Sequence, residues 1–518
     1  MKSGQAFNPY LPSYEYIPDG EPHVFGDRVY IYGSHDRFGS SGFCLNDYVC
    51  YSAAVNDLAD WRYEGVIYRK EQDPENQNIP EDAPEQPLIF AIQPEKEEDL
   101  NPRGVHALFA PDVVQGPDGR FYLYYCLDFL PAIGVAVSDS PAGQYEYLGR
   151  VRHADGTALG ERAGDLVQFD PGIFIDDDGE IYLYSGNGPV RPEKYDGRHG
   201  SQVMSLEPDM LTLKTEPKPL LPSTMESAGT GFEEHEFYEA SSIRKINGRY
   251  YLVYSSVKSS ELCYAVSDRP DGGYRFGGTL VDIGDIGYAG RVRRDAVNML
   301  GNTHGGIEKI GEEWYVFYHR QTDRSNFSRQ GCAEKIVIEP DGNIPQVEVT
   351  SCGLNGGPMR GTGTYPARIC CHLTGRKPAV FSHPVSMKMD YPFLTQDVPD
   401  IEPGSPEALE EEKYPVQYIR NMCDGAVAGY KYFSFQNKEN EEGDVERLIG
   451  VTVRGNARGV LRIRTEEKGT VCGEITVSVC GSDWMECRGR FRTSAGVHGL
   501  YFQYEGTGSF DLLSFAMK

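Results

Sequence analysis

The feature of this 518-residue chain that most restricts its fold is a short tyrosine-rich pattern that occurs five times. It reads DRVYIYGSHD from Asp27, GRFYLYYCLD from Gly119, GEIYLYSGNG from Gly179, GRYYLVYSSV from Gly248 and EEWYVFYHRQ from Glu312. Each copy runs from a turn into β-branched and aromatic residues, the composition of a buried strand. Successive starts lie about 60 to 70 residues apart except across the first gap, where the Pro-, Glu- and Asp-rich residues 69 to 105 read as an inserted loop. A second pattern of strand, tight turn and strand follows at Tyr48, Ile133 and Leu262. A unit of three or four strands cannot bury both faces alone, so five copies predict an all-β, five-bladed β-propeller over residues 1–355. A β-sandwich with recurring tyrosine strands is the competing reading, but a sandwich needs no period.

After about residue 350 the period stops. Residues 356–415, with Gly, Pro and acidic runs such as EALEEEK, read as a linker. From 416 to 518 alternating strands (VERLIGVTVRG, GVLRIRTEE, GEITVSVCG, HGLYFQYEG, FDLLSFAMK) predict a β-sandwich.

Bulk properties narrow the partners. A formal net charge of −27, from 50 basic and 77 acidic residues, repels nucleic acid and anionic membrane surfaces and leaves a neutral substrate as the better match. No apolar run reaches the ~18 residues of a membrane span. The opening MKSGQAFNPY carries no apolar segment of a signal peptide, and the twelve cysteines form no CxxC pair, so a cytoplasmic protein with buried thiols is expected. Association with further copies of the chain stays open.

Functional groups of a propeller converge on its central channel from loops and innermost strands. Ahead of three tyrosine strands a carboxylate occupies the same register: Asp19 in YIPDGEPHVF, Asp170 in VQFDPGIFIDDDG and Glu239 in EFYEASSIRKING. Equivalent positions in a ring point at one axis. Three converging carboxylates suit metal binding or acid–base chemistry, and loops rich in Tyr, Phe, His and Arg suit a sugar, by ring stacking and hydroxyl recognition. Inverting glycoside hydrolysis needs an ionised carboxylate to activate water and a protonated carboxyl for the leaving oxygen, and a third acid can raise the donor's pKa.

At these residues the chain resembles glycoside hydrolase family 43, over residues 6 to about 355. NPYLPSYEYIPDGEPHVF is similar to the family's opening segment, which implies Asp19 as general base. FAPDVVQGPDGRFYLYY is similar to its second-blade segment. FDPGIFIDDDGEIYLY implies Asp170 as the pKa-modulating acid, and YEASSIRKINGRYYLVYSS implies Glu239 as general acid. NTHGGIEKIGEEWYVFYHR resembles the fifth-blade segment and implies His304 beside a water cluster or a metal ion, for which calcium is the expectation; no cofactor is implied for the chemistry. His304 and Arg320, with Phe109 and His106 on the second-blade loop, are the next candidates for substrate contact. The chain departs from the family pattern at PDG and EAS but keeps both carboxylates. The last 100 residues resemble a family 6 carbohydrate-binding module, with Trp484, Tyr432 and Phe433 as a candidate stacking platform and a bracing role as the alternative.

The resemblance implies an exo-acting, inverting glycosidase on oligosaccharides that releases terminal α-L-arabinofuranose first and β-D-xylose second. A non-catalytic sugar-binding propeller would leave the three registered carboxylates unexplained. A retaining fructosidase is disfavoured because IPDGE, QFDP and YEAS stand where its Asn-Asp-Pro-Asn, Arg-Asp-Pro and Glu-Cys motifs would be.

Overall fold

Alternation within the tyrosine strands decides how the chain packs. In the strand Phe121–Leu127, Leu123 and Tyr125 enter one hydrophobic core while Tyr122 and Tyr124 enter another. The strands Arg249–Ser256 and Glu313–Gln321 divide their side chains in the same way. Each strand is thus apolar on both faces because each face meets a different neighbouring blade. The tyrosine hydroxyls that this buries find carbonyl acceptors, such as Met210 O for Tyr124 at 2.7 Å and His235 O for Tyr254 at 2.7 Å.

In the computed structural model, which describes residues 4–83, 101–128, 130–190, 199–377, 391–401, 415–437 and 442–518, these strands build a five-bladed propeller. The innermost strands are Glu21–Phe25, Leu108–Gln115, Gly172–Ile175, Phe237–Ile246 and Ile307–Ile310. Each starts an antiparallel sheet, four-stranded in blades 1 to 4 and three-stranded in blade 5. One hydrophobic core lies between each pair of adjacent blades, including blades 5 and 1, so the ring closes by side-chain packing. A parallel bridge between Gly20 and Gly305 joins the same two blades beside the channel. Residue 305 must be glycine, because a Cβ there would stand 2.0 Å from Phe317 O. Among the described residues no helix is long and apolar enough to cross a membrane.

The C-terminal part forms a second all-β unit. Nine strands share one hydrogen-bonded sheet, whose long members Val445–Arg464, Gly473–Thr493 and Gly496–Met517 fold over a single core containing Tyr430, Phe433, Phe502 and Phe515. Here the structure corrects the expected linker. Met359–Arg360, Gly363–Pro366, His372–Thr374 and Phe393–Thr395 are strands of this sheet. At two to four residues each, they are too short to leave a periodic signal among the Gly and Pro around them. The acidic run EALEEEK lies outside the described residues.

The two units share a polar seam. Lys431 of the sandwich reaches Asp285 at 3.1 Å and Glu348 at 2.8 Å, Asn298 donates to Cys371 O at 2.9 Å, and Leu373 N–H donates to Val297 O at 2.7 Å.

Candidate active site

One cavity of about 610 Å³ opens at the centre of the propeller, and every blade contributes to it near the start of its inner strand, either within the first residues or just ahead of them. Blade 1 supplies Asp19, blade 2 Phe109 and Ala110, blade 3 Asp170, blade 4 Glu239 and blade 5 His304. The three acids predicted from register therefore do meet, and Ala110 fills in blade 2 the place that Asp170 fills in blade 3.

The backbone at these positions is unusual in a shared way. Asp19 and Asp170 have φ of 56° and 46°, and Ala240, next to Glu239, has φ of 69°. Residues with a Cβ visit this left-handed region at a cost, and such strain collects at functional sites. Around Glu239 the ladder to Arg249–Ser256 shifts register on both sides, a bulge that turns the carboxylate out of the sheet. Asn187 Nδ2 then donates to Glu239 Oε2 at 3.4 Å and to Tyr238 O at 3.2 Å. Gly172 lets blades 3 and 4 approach here, since a Cβ on it would stand 2.2 Å from Ser241 O.

The acids differ in charge. Burial pushes the Asp19 carboxyl up, but the Arg329 guanidinium overcomes this and holds it below its usual 3.8. Arg329 Nη1 lies 3.1 Å from Asp19 Oδ1. Asp19 is therefore ionised. Asp170 goes the other way: burial, then the charges of Glu239 and Asp19, raise its carboxyl well above 3.8 despite the Ala240 amide beside it. Two buried carboxylates in mutual repulsion titrate as a pair, in which the charge of one disfavours the charge of the other. An ionised acid on one side and a proton-holding pair on the other is the division of labour that acid–base hydrolysis requires.

His304 presents Nδ1 to Asp170 Oδ2 at 3.5 Å and to Asp19 Oδ1 at 3.9 Å. Burial lowers its pKa, so the ring is neutral. Calcium takes 6–8 oxygen ligands, whereas this group offers a nitrogen, and Asp19 already faces the Arg329 cation. Among the described residues, the groupings of three side chains able to ligate an ion are His235, Glu261 and Cys263, and Glu21, His23 and Asp112. Neither contains His304. His304 is a close neighbour of the two acids.

Two expected substrate contacts are elsewhere. Arg320 is buried at the seam, where its guanidinium donates to Arg368 O at 2.9 Å and to Cys370 O. It secures two carbonyls of the segment that leads into the sandwich. His106 does not line the cavity; its backbone is clasped by Asn76 at 2.7 and 2.9 Å, and its Nδ1 bonds Asp128 O at 2.7 Å. Phe109 does line it, in edge contact with Phe169 at 5.9 Å. The expected stacking platform of the sandwich is not assembled. Phe433 is fully buried in the core, the Tyr432 hydroxyl donates to Glu348 Oε2 at 2.7 Å, and Arg454 lies 4.4 Å over the Trp484 ring.

Arg329 and His319 also serve the site, and neither is legible in the sequence. Both lie far along the chain from Asp19, and nothing local marks them: His319 sits inside a tyrosine strand and reads as core, and Arg329 follows a Ser- and Asn-rich turn.

Comparison with known proteins identifies the family of the chain. The family model for glycosyl hydrolases family 43 matches residues 91–344, a stretch that begins after Asp19. A xylosidase/arabinosidase of Thermoclostridium stercorarium is 46% identical over 99% of this chain and 99% of its own. A xylosidase/arabinosidase of Bacteroides ovatus is 28% identical over 65% of this chain and 97% of its own. Among solved structures, a family 43 arabinoxylan arabinofuranohydrolase from Bacillus subtilis, in complex with cellotetraose, aligns with 100% of this chain and 98% of its own at 20% identity and a TM-score of 0.48.

Proposed function

Because this chain belongs to glycosyl hydrolases family 43 and is a glycoside hydrolase, we propose that it removes terminal pentoses from oligosaccharides with inversion at the anomeric carbon. The observation that carries this reading is the convergence of Asp19, Asp170 and Glu239, from three blades, on one cavity in unlike protonation states. Asp19, ionised beside Arg329, takes a proton from the attacking water. Glu239 passes the proton held by the Asp170–Glu239 pair to the departing oxygen, and Asp170 keeps that proton available through its own charge. An inverting mechanism requires the Asp19 and Glu239 carboxyls to stand about 6.5–9.5 Å apart, with room for the water between acid and sugar.

The sugar is α-L-arabinofuranose in the first place and β-D-xylopyranose in the second. Activity on both is supported by the name of the relative that is 46% identical, a xylosidase/arabinosidase. All twelve cysteines are free, which supports a reducing, intracellular setting. The C-terminal domain, which resembles a family 6 carbohydrate-binding module, acts in this reading as a brace, since two of its three candidate stacking residues are engaged in the core or the seam.

The test is hydrolysis of 4-nitrophenyl α-L-arabinofuranoside, 4-nitrophenyl β-D-xylopyranoside and xylobiose by wild type and Glu239→Gln, with the first-formed anomer read by proton NMR. Glu239→Gln should lose about 10²–10⁴-fold on xylobiose. It should lose less on the aryl glycosides, whose leaving group departs without a proton. A product of retained configuration, or an unimpaired variant, would reject the mechanism.

A further inference from the structure

The amide of Asp19, a residue in left-handed conformation at φ 56°, makes a hydrogen bond that crosses to another blade. Its N–H donates to Nδ1 of His319 at 3.1 Å. His319 lies on the second strand of blade 5, Glu313–Gln321, and is wholly buried. Its own backbone is pinned from both sides by one hydroxyl. His319 N–H donates to Thr303 Oγ1 at 3.2 Å, and the Thr303 hydroxyl donates to His319 O at 3.0 Å. Thr303 directly precedes His304, so this clamp belongs to the same segment that brings His304 to the acids.

We propose that His319 is a positioning residue for the reaction: as a neutral imidazole accepting through Nδ1, it holds the Asp19 backbone in the left-handed turn that aims the carboxylate at the attacking water. This rests on the reading of Asp19 as the base. An Nδ1 that accepts carries no proton, so the ring is the Nε2–H tautomer. Burial enforces that state, pushing the imidazole down to about 3. The charged and titratable groups facing the ring are the Asp19 carboxylate, with Oδ1 3.3 Å from Nδ1, Arg329 and His304. With the Nδ1 lone pair turned to the amide, the ring cannot donate to the carboxylate. Arg329 is then the charge on Asp19, and His319 supplies its geometry.

Asparagine and leucine at 319 separate this role from mere packing. The two side chains share a shape and leave the same space, but only asparagine places an acceptor, Oδ1, where Nδ1 was. On the 4-nitrophenyl pentosides His319→Asn should keep most of the wild-type kcat. His319→Leu should lose about 10²-fold in kcat with KM little changed, because a base displaced by about 1 Å fails in the transition state and not in substrate binding. Where leucine does not fold, His319→Phe supplies a planar side chain with no acceptor atom. Equal kcat in the asparagine variant and a folded acceptor-free variant would overturn the assignment. Asp19→Ala, made alongside, distinguishes the two levels. An active Asp19→Ala rejects the base itself, whereas an inactive one beside equal position-319 variants rejects the role of His319 alone.

Discussion

Arg329 joins two carboxylates of blade 1: its Nη1 lies 3.1 Å from Asp19 Oδ1, and its Nε lies 2.8 Å from Asp36 Oδ2, with all three groups buried. The fork of a guanidinium can serve both acids at once, and a point charge cannot. Its effect on Asp19 gives a pH-dependent prediction.

In wild type the ionised base persists below the usual carboxylate value of 3.8, so the acid limb of kcat/KM lies low. In Arg329→Gln the burial of Asp19 acts without its counter-charge, and its pKa rises. The acid limb of the kcat/KM profile should move to higher pH by more than one unit. A depressed carboxyl contributes stability that is present above its unfolded pKa and lost as pH falls through the folded one, so the variant should also lose stability at neutral pH, by about 3–5 kcal/mol for a broken buried pair. An unchanged acid limb would mean that Arg329 does not set the ionisation of the base.

Lys431 is a buried cation of the seam, 3% exposed and shared by Asp285 and Glu348. Lys431→Met would leave two carboxylates facing each other in a site that burial already makes unfavourable for Asp285. Urea unfolding should show a loss of about 3–5 kcal/mol. Adding Asp285→Asn should recover part of it, because it removes one of the stranded charges. Full stability in Lys431→Met would show that this ion pair adds nothing to the hydrogen bonds that join the two units.

Glu334 gives the opposite pH sign. It is buried, accepts from Asn8 Nδ2 at 2.8 Å and Thr350 N–H at 2.7 Å, and burial pushes its carboxyl up to about 8 from 4.5. The folded protein keeps this proton where the unfolded chain has lost it. The contribution to stability is complete below pH 4.5 and is lost as pH rises through about 8. Glu334→Gln retains an acceptor for the same donors and cannot ionise. Its Tm should fall less steeply than that of wild type between pH 5 and 8, and parallel curves would refute the assignment.

Much of this molecule was legible in its one-dimensional text. The five tyrosine strands are periodic because every blade must bury both faces, and burial on both faces writes a local, continuous signal such as FYLYYCL. The three acids stood in register for the same reason: a ring maps equal offsets in sequence onto one axis, so Asp19, Asp170 and Glu239 could be placed together before any coordinates. The short strands between Met359 and Thr395 could not, since two to four residues carry no period.

The repeat, the ring and the carboxylates on its axis follow from local periodicity and equal spacing along the chain. The ionisation and aim of those carboxylates are set by contacts across the folded ring. Asp19 is ionised by Arg329, 310 positions along the chain, and oriented by His319, 300 positions along. Likewise Arg320, one residue beyond His319, faces away to the seam and serves Cys370 and Arg368. A charge's pKa and a side chain's partner depend on distances of about 3 Å across blades, and such distances exist only once the ring has closed.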